Sequence, residues 1–368
     1  MDYKVISADN HILEPRDLFV TRLPRQFRDR APRVERGADG GDGWTWDDKP
    51  PQRTLGLEAC AGLGIRVSGY KWDEILPGNY DGAAHLADMR KDGVDAVVLF
   101  PTVPVHAYGM ADKDFALALI QTFNDWLYED FVAPDPDRLI GLAMLPVDHG
   151  IETALAEFER CLGKGAKAFF IPTFPEIAYV EPQYDALWSA AEQAGTPLCL
   201  HRTSGGKDPT GGFQFNVPGV NMAGTVTRFF SGVGPLTNMI YTGIFARHPR
   251  LKVMDAELNF GWIPFWSSLM DYIYNKQKGW AKFGTEELPS KALGRNVFVT
   301  VLDDEVGFDL VGTYPYLADV ALFSLDYPHS ICLWPNSADH IARLTRDMDP
   351  VAKDKILARN AVNVFNLN

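Results

Sequence analysis

Short runs of apolar residues alternate along the chain with longer segments whose apolar positions recur at helical spacing. The runs are rich in Val, Ile and Phe and are apolar almost throughout, which is typical of parallel strands buried on both faces. We predict eight such strands, at 4–9, 94–100, 138–145, 166–171, 197–201, 251–257, 296–301 and 320–326.

Helical patterns lie between these runs, most clearly at 81–93, 111–132, 151–165 and 181–195. Three of them end in glycine, a common stop signal at the C-terminus of a helix. Alternation of strand and helix predicts an α/β fold with a parallel sheet, and about eight repeats favour a closed (β/α)₈ TIM barrel. The glycine-rich nucleotide-binding motifs GxGxxG after the first strand and GxxxxGK[ST] are missing from the sequence, which weighs against an open nucleotide-binding sheet.

Two long stretches interrupt the alternation. Residues 33–80, with many Gly and Pro and several Trp, form an insertion after the first strand. Residues 202–250 begin with the loop "SGGKDPTGGF" and continue as a helical region that we expect to break around Gly232–Pro235. Loops of this length in a compact enzyme often cover an active site. We find no internal repeat and predict one domain over residues 1–368.

Composition narrows the class of protein. The 368 residues carry a net charge of −13, which argues against a nucleic-acid partner because such a surface needs clustered Lys and Arg. The four cysteines are far apart and form no C-x-x-C pair, so neither a disulfide framework nor a zinc finger is expected. Without a signal-peptide pattern or a long apolar run, the sequence predicts a cytoplasmic protein with no membrane partner.

Polar residues with metal-binding chemistry follow several predicted strands. Asp9 and His11 end the first strand, His201 and Arg202 the fifth, Glu257 the sixth and Asp326 the eighth. The C-terminal ends of barrel strands converge on one mouth, where barrel enzymes carry their chemistry. Two imidazoles and up to three carboxylates at one mouth predict a divalent metal site with mixed nitrogen and oxygen ligands.

Each residue alone also has a structural interpretation. An Asp-x-His triplet occurs by chance, His201 could be a core histidine, and Asp326 before Tyr327–Pro328 could only start a turn. The position of all of them at strand ends favours the metal site. There, an open metal position would activate water or polarise a substrate oxygen, and a neighbouring carboxylate would move the proton.

The same segments carry a family resemblance. The stretches "SADNHILEP", "LFPT", "LH", "FARHPRLKVM" and "LFSLDYPHSICLWPNS" occur in this order, and together they resemble the amidohydrolase superfamily, in the branch of aminocarboxymuconate semialdehyde decarboxylase-like enzymes. The resemblance implies a distorted barrel with a divalent metal site. It also leads us to expect a homodimer. Its metal ligands fall on Asp9, His11, His201 and Asp326.

Two positions depart from the family pattern. Asp9 stands where the opening His-x-His pair has its first histidine, and Glu257 stands where the sixth strand commonly has a histidine. The additional carboxylate favours Mn²⁺ or Fe²⁺, with Zn²⁺ still open. Because no lysine lies at a suitable strand end, we expect one metal ion.

Further residues have predicted roles around this centre. Asp326, Glu257 and His329 are the candidate proton carriers, and Arg202, His106 and Trp262 the candidate substrate contacts. Arg202 could bind a substrate carboxylate or form a structural ion pair. Glu14 could orient His11 or hold a loop.

Three functions follow from this arrangement. The first is hydrolysis of a small organic substrate (an amide, an ester, a thioester or a C–C bond beside a carbonyl) by metal-activated water. The alternative is non-oxidative decarboxylation of an aromatic or muconate-type acid, which the resemblance also implies. A barrel that binds a ligand without catalysis is the third.

Overall fold

The computed structural model describes residues 2–47, 55–202, 204–205 and 222–367. Its main sheet has eight parallel strands, numbered here in chain order. Seven of them lie within the predicted ranges, and the first is shifted two residues later than the predicted 4–9. They are β1 (Ile6–His11), β2 (Ala96–Phe100), β3 (Leu139–Met144), β4 (Ala168–Phe170), β5 (Leu198–His201), β6 (Val253–Ala256), β7 (Val297–Val301) and β8 (Ala321–Phe323).

The strands pair in chain order from β1 to β8. The edge between β8 and β1 is bridged just beyond β8, where the Asp326 N–H donates to Asp9 O at 2.9 Å and the His11 N–H donates to Tyr327 O at 2.7 Å. The register of β1 against β2 shifts between Ser7 and Asn10. The result is a nearly closed, distorted (β/α)₈ barrel, and the predicted fold class is confirmed.

Burial explains why the strand sequences are apolar throughout. Every residue of β2 and of β3 is buried, since one side of each strand fills the barrel and the other is covered by helices. The α-helices span Leu18–Arg22, Leu55–Glu58, Gly82–Lys91, Lys113–Trp126, Ile151–Gly163, Asp185–Ala194, Met222–Thr227, Val233–Tyr241, Ile244–Arg247, Ile263–Gln277, Glu305–Leu310, Leu317–Val320, Ser337–Leu344, Pro350–Asp354 and Asn360–Phe365.

Shorter helical turns join these elements. The 3₁₀ turns span Arg25–Arg30, Trp72–Glu74, Pro77–Asn79, Pro104–Ala107, Val147–His149, Pro182–Tyr184, Arg228–Phe230 and Pro289–Ala292, and two π-turns span Leu127–Phe131 and Lys355–Arg359. The predicted break around Gly232–Pro235 falls slightly earlier: helix Val233–Tyr241 already contains Pro235 in its first turn, where a proline is tolerated because the first N–H groups of a helix have no intrahelical acceptor.

The insertion at 33–80 lies beside the segment that follows β8. It contains an antiparallel hairpin of Arg33–Arg36 with Asp42–Thr45. Further along, the Ala61 N–H donates to Pro328 O at 3.0 Å and the Ser330 N–H donates to Leu57 O at 2.8 Å. The insertion therefore contacts the chain directly after Asp326. The predicted loop "SGGKDPTGGF" lies outside the described residues after its first two positions.

A membrane-spanning helix is not found: none of the helices in the described ranges combines the length and the apolar character that crossing a bilayer requires.

Candidate metal centre

Six of the predicted residues meet at the C-terminal mouth of the barrel. Donor atoms of Asp9, His11, His201 and Glu257 lie within 4.8 Å of one another, and so do those of His11, Glu257, Asp326 and His329. His11 and Glu257 belong to both groups. The strand ends that the sequence singled out thus form one cluster, in which the carboxylates are buried.

His11 lies at the middle of this cluster. Its Nε2 atom is 3.1 Å from His201 Nε2 and 3.5 Å from both Asp9 Oδ1 and Asp326 Oδ1. The His11 ring also stacks on the His329 ring with centroids 3.8 Å apart. Asp9 and His11 come from one extended strand two residues apart, so both side chains reach the same side.

The donor set fits a divalent cation. Asp9 Oδ1 and both carboxylate oxygens of Asp326 are buried and have no hydrogen-bond partner among the described residues, although such atoms are costly to leave unmatched. Two imidazole nitrogens and unmatched carboxylate oxygens are the ligands that Mn²⁺, Fe²⁺ and Zn²⁺ take in proteins. The cluster can hold one such ion.

The protonation of the histidines agrees with a ligand role. Burial and the neighbouring His329 and His201 hold the pKa of His11 well below its ordinary value. Burial lowers the pKa of His201 to about 4. Both imidazoles are therefore neutral near pH 7 and can offer a nitrogen lone pair to a metal ion.

The carboxylates differ in their protonation. Burial, together with the negative charge of Glu257, raises the pKa of Asp326 well above its ordinary value. Burial acts most strongly and raises the pKa of Glu257, but Arg202, His201 and His329 together with a hydrogen bond to Asp326 outweigh it, so this pKa lies below the ordinary value. Neighbouring acids held at different pKa values are typical of sites that move protons.

Arg202 is placed against the cluster by an ion pair. Its Nε contacts Glu257 Oε2, and its guanidinium carbon lies 4.6 Å from the centre of the Phe229 ring. Arg202 Nη1 is buried and has no hydrogen-bond partner among the described residues. The geometry is compatible with both predicted roles of Arg202, because the side chain forms an ion pair and keeps one N–H group for a ligand.

His329 pairs with the end of β8. Its Nδ1 lies 2.8 Å from Asp326 Oδ1, while its Nε2 is buried without a hydrogen-bond partner in the described part of the chain. His329 is therefore within ion-pair distance of Asp326 and belongs to the second group of donor atoms.

The backbone turns sharply at two of these positions. Glu257 and Asp326 have φ angles of 57° and 54°, a left-handed conformation that costs an ordinary residue about 1 kcal/mol. Non-glycine residues held in this way are concentrated at functional sites. Here the turn comes directly after β6 and soon after β8.

Two neighbours of the cluster were not predicted from the sequence. Thr300, in β7, accepts a hydrogen bond from the Glu257 N–H at 2.8 Å and donates to Asp9 Oδ2 at 3.4 Å. The Phe100 ring, at the end of β2, lies 5.2 Å from the His201 ring. Thr300 could have been found from the sequence, because it is the polar residue within the apolar run "VFVTV".

The remaining predicted residues are not in the two groups of donor atoms. His106 is exposed in the turn after β2, with its ring 5.0 Å from that of Trp46. The indole N–H of Trp262 donates to Leu258 O at 2.9 Å. Glu14 accepts hydrogen bonds from the Thr102 and Val103 N–H groups, which corresponds to the loop-holding role, and its burial raises its pKa to about 8.

Comparison with known proteins identifies the family of this chain. The amidohydrolase family model matches residues 72–367. The chain belongs to the amidohydrolase family. None of the functionally curated proteins matches it.

Solved structures of this family share the fold. An amidohydrolase from Mycobacterium avium subsp. paratuberculosis K-10 is 20% identical, with a TM-score of 0.78 over 100% of this chain and 99% of its own. 5-Carboxyvanillate decarboxylase from Sphingomonas paucimobilis is 20% identical, with a TM-score of 0.68 over 100% of both chains.

A third structure of this family holds a metal. Dihydroxybenzoic acid decarboxylase from Polaromonas sp. JS666, with bound manganese and the inhibitor 2-nitroresorcinol, is 18% identical, with a TM-score of 0.63 over 100% of this chain and 98% of its own. At these identities the likeness concerns the fold.

Proposed function

We propose that this amidohydrolase is a metal-dependent decarboxylase that releases CO₂ from a small hydroxylated aromatic acid. The observation that carries the proposal is the buried Arg202 Nη1, which has no hydrogen-bond partner among the described residues although Arg202 Nε is paired with Glu257 beside the metal ligands. A carboxylate is the natural acceptor for such an N–H group. Two of the structural relatives described above are decarboxylases of aromatic acids, which supports this choice over hydrolysis.

The residues of the cluster have distinct proposed roles. Asp9, His11, His201 and Asp326 would hold the metal, and a bound divalent ion would supply positive charge that stabilises negatively charged substrate oxygens. Arg202 binds and orients the substrate carboxylate. The Phe100 ring lies beside these ligands, with its centroid 5.7 Å from that of His11 and 5.2 Å from that of His201.

The proton is handled by the pair of Asp326 and His329. Decarboxylation of an arene requires a proton on the ring carbon; the C–C bond to the carboxylate then breaks, its electron pair restores the aromatic ring, and CO₂ leaves. The carboxyl of Asp326 would deliver this proton. His329, whose Nδ1 lies 2.8 Å from Asp326 Oδ1, would restore it by passing on its Nδ1 proton while its Nε2 takes up a proton from water.

Hydrolysis is the second candidate, and the ionised state of Glu257 favours it. Arg202 lowers the pKa of this carboxyl despite its burial, so it can accept a proton from a water molecule in the cluster. Hydrolysis was the first function that the sequence indicated. The same ligand atoms would serve both reactions.

The test uses purified full-length protein loaded with Mn²⁺ and a panel of hydroxybenzoic and methoxybenzoic acids in ¹⁸O-labelled water. Release of CO₂ with no ¹⁸O in the aromatic product is the expected result. Hydrolysis is assayed in parallel with aryl esters and anilides, and ¹⁸O in the acid product without CO₂ release would overturn the decarboxylase proposal. Bound Mn²⁺ with neither reaction would indicate a ligand-binding barrel.

A further inference from the structure

The guanidinium group of Arg202 is held on two of its sides. Its Nε pairs with Glu257 Oε2, and its central carbon lies over the Phe229 ring, 4.6 Å from the ring centre. A guanidinium group is planar and carries its N–H groups in a fixed fork. The carboxylate therefore holds the Nε edge of this plane, and the ring covers one face of it. The buried Nη1 group, without a hydrogen-bond partner among the described residues, belongs to the part of the fork that neither contact uses.

Phe229 reaches this group from a short turn in a different part of the chain. It is the middle residue of the 3₁₀ turn Arg228–Phe230, which the Ser231 N–H closes by donating to Arg228 O at 3.0 Å. Successive residues of a 3₁₀ turn point about 120° apart. Phe229 and Phe230 therefore leave the turn in different directions, and the ring of Phe229 is the one that lies over the guanidinium group.

The Phe230 ring connects the same turn to the loop after β6. It meets the Trp262 ring edge-on, with the centroids 6.3 Å apart, and the Trp262 indole N–H donates to Leu258 O at 2.9 Å. Leu258 is buried and directly follows Glu257. The segments that carry Phe229 and Glu257 are thus joined by side-chain contacts, so the ring and the carboxylate that hold the guanidinium group keep a defined arrangement.

An ion pair through one N–H edge does not by itself fix the guanidinium plane. The plane can rotate about the line between the two charged groups, and this rotation changes the direction of the other N–H groups. A ring against one face prevents the rotation, and the attraction between a cation and an aromatic face strengthens the contact. The ring also replaces water on that face, which strengthens the interaction of the remaining N–H groups with a carboxylate.

We propose that Phe229 is a positioning residue, which holds the guanidinium group of Arg202 so that Nη1–H points at the carboxylate of the substrate. This role rests on the proposed function, in which Arg202 binds that carboxylate. Phe229 acts through Arg202 and takes no part in the proton transfer at Asp326. The ring therefore determines how tightly an acid binds, whereas the chemical step depends on the metal ligands and on Asp326.

The role predicts which kinetic constant changes. The contact between Arg202 and the carboxylate is made before the C–C bond breaks, and the carboxylate loses its charge as it leaves as CO₂. The interaction therefore stabilises the bound substrate at least as much as the transition state. Loss of the Phe229 ring should raise KM for the acid and leave kcat nearly unchanged.

The test compares full-length, Mn²⁺-loaded variants in their affinity for two ligands. One is the acid of the hydroxybenzoic and methoxybenzoic panel that binds wild type most tightly, and the other is the arene that differs from it by lacking the carboxyl group. Affinity for the acid is read as KM where it is turned over and as Kd from calorimetry where it is not. Affinity for the arene is read by calorimetry.

Phe229→Leu should weaken binding of the acid about tenfold and leave binding of the arene within about twofold of wild type, because Leu keeps the apolar volume and removes the aromatic face. Retained arene binding also shows that the site is folded. Phe229→Tyr keeps the aromatic face and should restore binding of the acid. Phe265→Leu, at an exposed phenylalanine of helix Ile263–Gln277, is the matched control and should bind both ligands as wild type does.

A double-variant cycle with Arg202→Met distinguishes positioning from packing. If Phe229 acts through Arg202, Phe229→Leu should not weaken acid binding further in the Arg202→Met protein. Full additivity of the two changes would overturn the inference, and so would acid binding by Phe229→Leu equal to that of wild type. A wild type that binds no acid of the panel would overturn it as well.

Positioning by Phe229 and the proposed decarboxylation would fail by different results. Selective loss of acid binding in Phe229→Leu, with no CO₂ release by wild type, supports positioning and contradicts decarboxylation. CO₂ release by wild type with an unchanged KM in Phe229→Leu contradicts positioning alone. In an active enzyme, KM should rise about tenfold at a kcat within about threefold of wild type.

Discussion

His11 Nε2 faces His201 Nε2 at 3.1 Å, although 190 residues separate the two histidines along the chain. The pKa of each lies below its ordinary value, chiefly because of burial, so neither ring needs to carry a proton near pH 7. Two neutral imidazole nitrogens directed at one another beside buried carboxylates are well arranged to share a cation.

Removing one of these nitrogens should abolish metal binding. We expect His201→Ala to reduce bound Mn²⁺ from about one equivalent per chain to less than a tenth, because the remaining ligands no longer complete the site. Elemental analysis after dialysis measures this. His340→Ala, whose ring lies near Asp303 rather than the cluster, is the matched control. Equal metal content in wild type and His201→Ala would refute the ligand assignment.

Asp326→Asn should remove activity while keeping the shape of the side chain. The amide cannot deliver or take up the proton that the Asp326–His329 pair handles, and general acid catalysis contributes about 10²–10⁴-fold to a rate. Steady-state kinetics with the substrate found in the CO₂ assay measures the loss. Asp303→Asn, outside the cluster, serves as the control, and a rate within twofold of wild type for Asp326→Asn would exclude this role.

The contributions of Arg202 and Glu257 to the free energy of unfolding should depend on each other. Their side chains are 13% and 5% exposed, and removing one partner of a buried ion pair costs about 3–5 kcal/mol because the other charge is left uncompensated. We expect Arg202→Met to lower the free energy of unfolding by about that amount, measured by urea denaturation.

The double variant distinguishes coupling from simple loss of packing. Glu257→Gln added to Arg202→Met removes the uncompensated charge and should recover a substantial part of the lost free energy. If the effects of Arg202→Met and Glu257→Gln on the free energy of unfolding simply add, the ion pair does not determine the stability of this part of the cluster.

Thr300→Val should destabilise the end of β7. The hydroxyl of Thr300 accepts a hydrogen bond from the buried Glu257 N–H, and an unmatched buried donor costs about 1–3 kcal/mol. Thr300→Ser keeps the hydroxyl and should retain most of the stability. Thermal unfolding of both variants measures the difference, and equal melting temperatures would show that this hydrogen bond is dispensable.

His85 should make the fold less stable in acid. Its Nδ1–H donates to Gly78 O at 2.8 Å, and its Nε2 accepts from the Asn10 side-chain amide at 3.1 Å, so the neutral ring is satisfied and a second proton has no acceptor. Burial lowers its pKa to about 4, below the value of about 6.5 expected in the unfolded chain.

Proton binding by the unfolded chain determines how the free energy of unfolding changes with pH. Between about pH 6.5 and 4 the unfolded chain binds a proton at His85 that the folded chain does not, so the free energy of unfolding falls as the pH falls, by up to about 3 kcal/mol. His85→Gln lacks this titration and should show a shallower decline in urea unfolding over the same range. Parallel curves for the two proteins would contradict the prediction.

The sequence by itself determined the architecture of the barrel and the convergence of its polar strand-end residues. Continuous apolar runs are typical of parallel strands buried on both faces, and eight alternations with helices favour a closed barrel. Because parallel strands end at one mouth, the polar residues at their ends could be assigned to one site without coordinates. Asp9, His11, His201, Glu257 and Asp326 were found in this way.

Tertiary structure alone decided which partners these residues have. Side-chain directions between distant strands decide whether Arg202 faces Glu257 and whether Glu14 holds the turn at Thr102 or orients His11. They also decide how Thr300 connects the Glu257 backbone N–H to the Asp9 carboxylate. His85 and Asn10 meet across 75 residues for the same reason. Hydrophobic periodicity specifies which face of an element is buried, but pairing between buried polar groups is set by the barrel's register and closure, and these arise only when all eight strands are assembled.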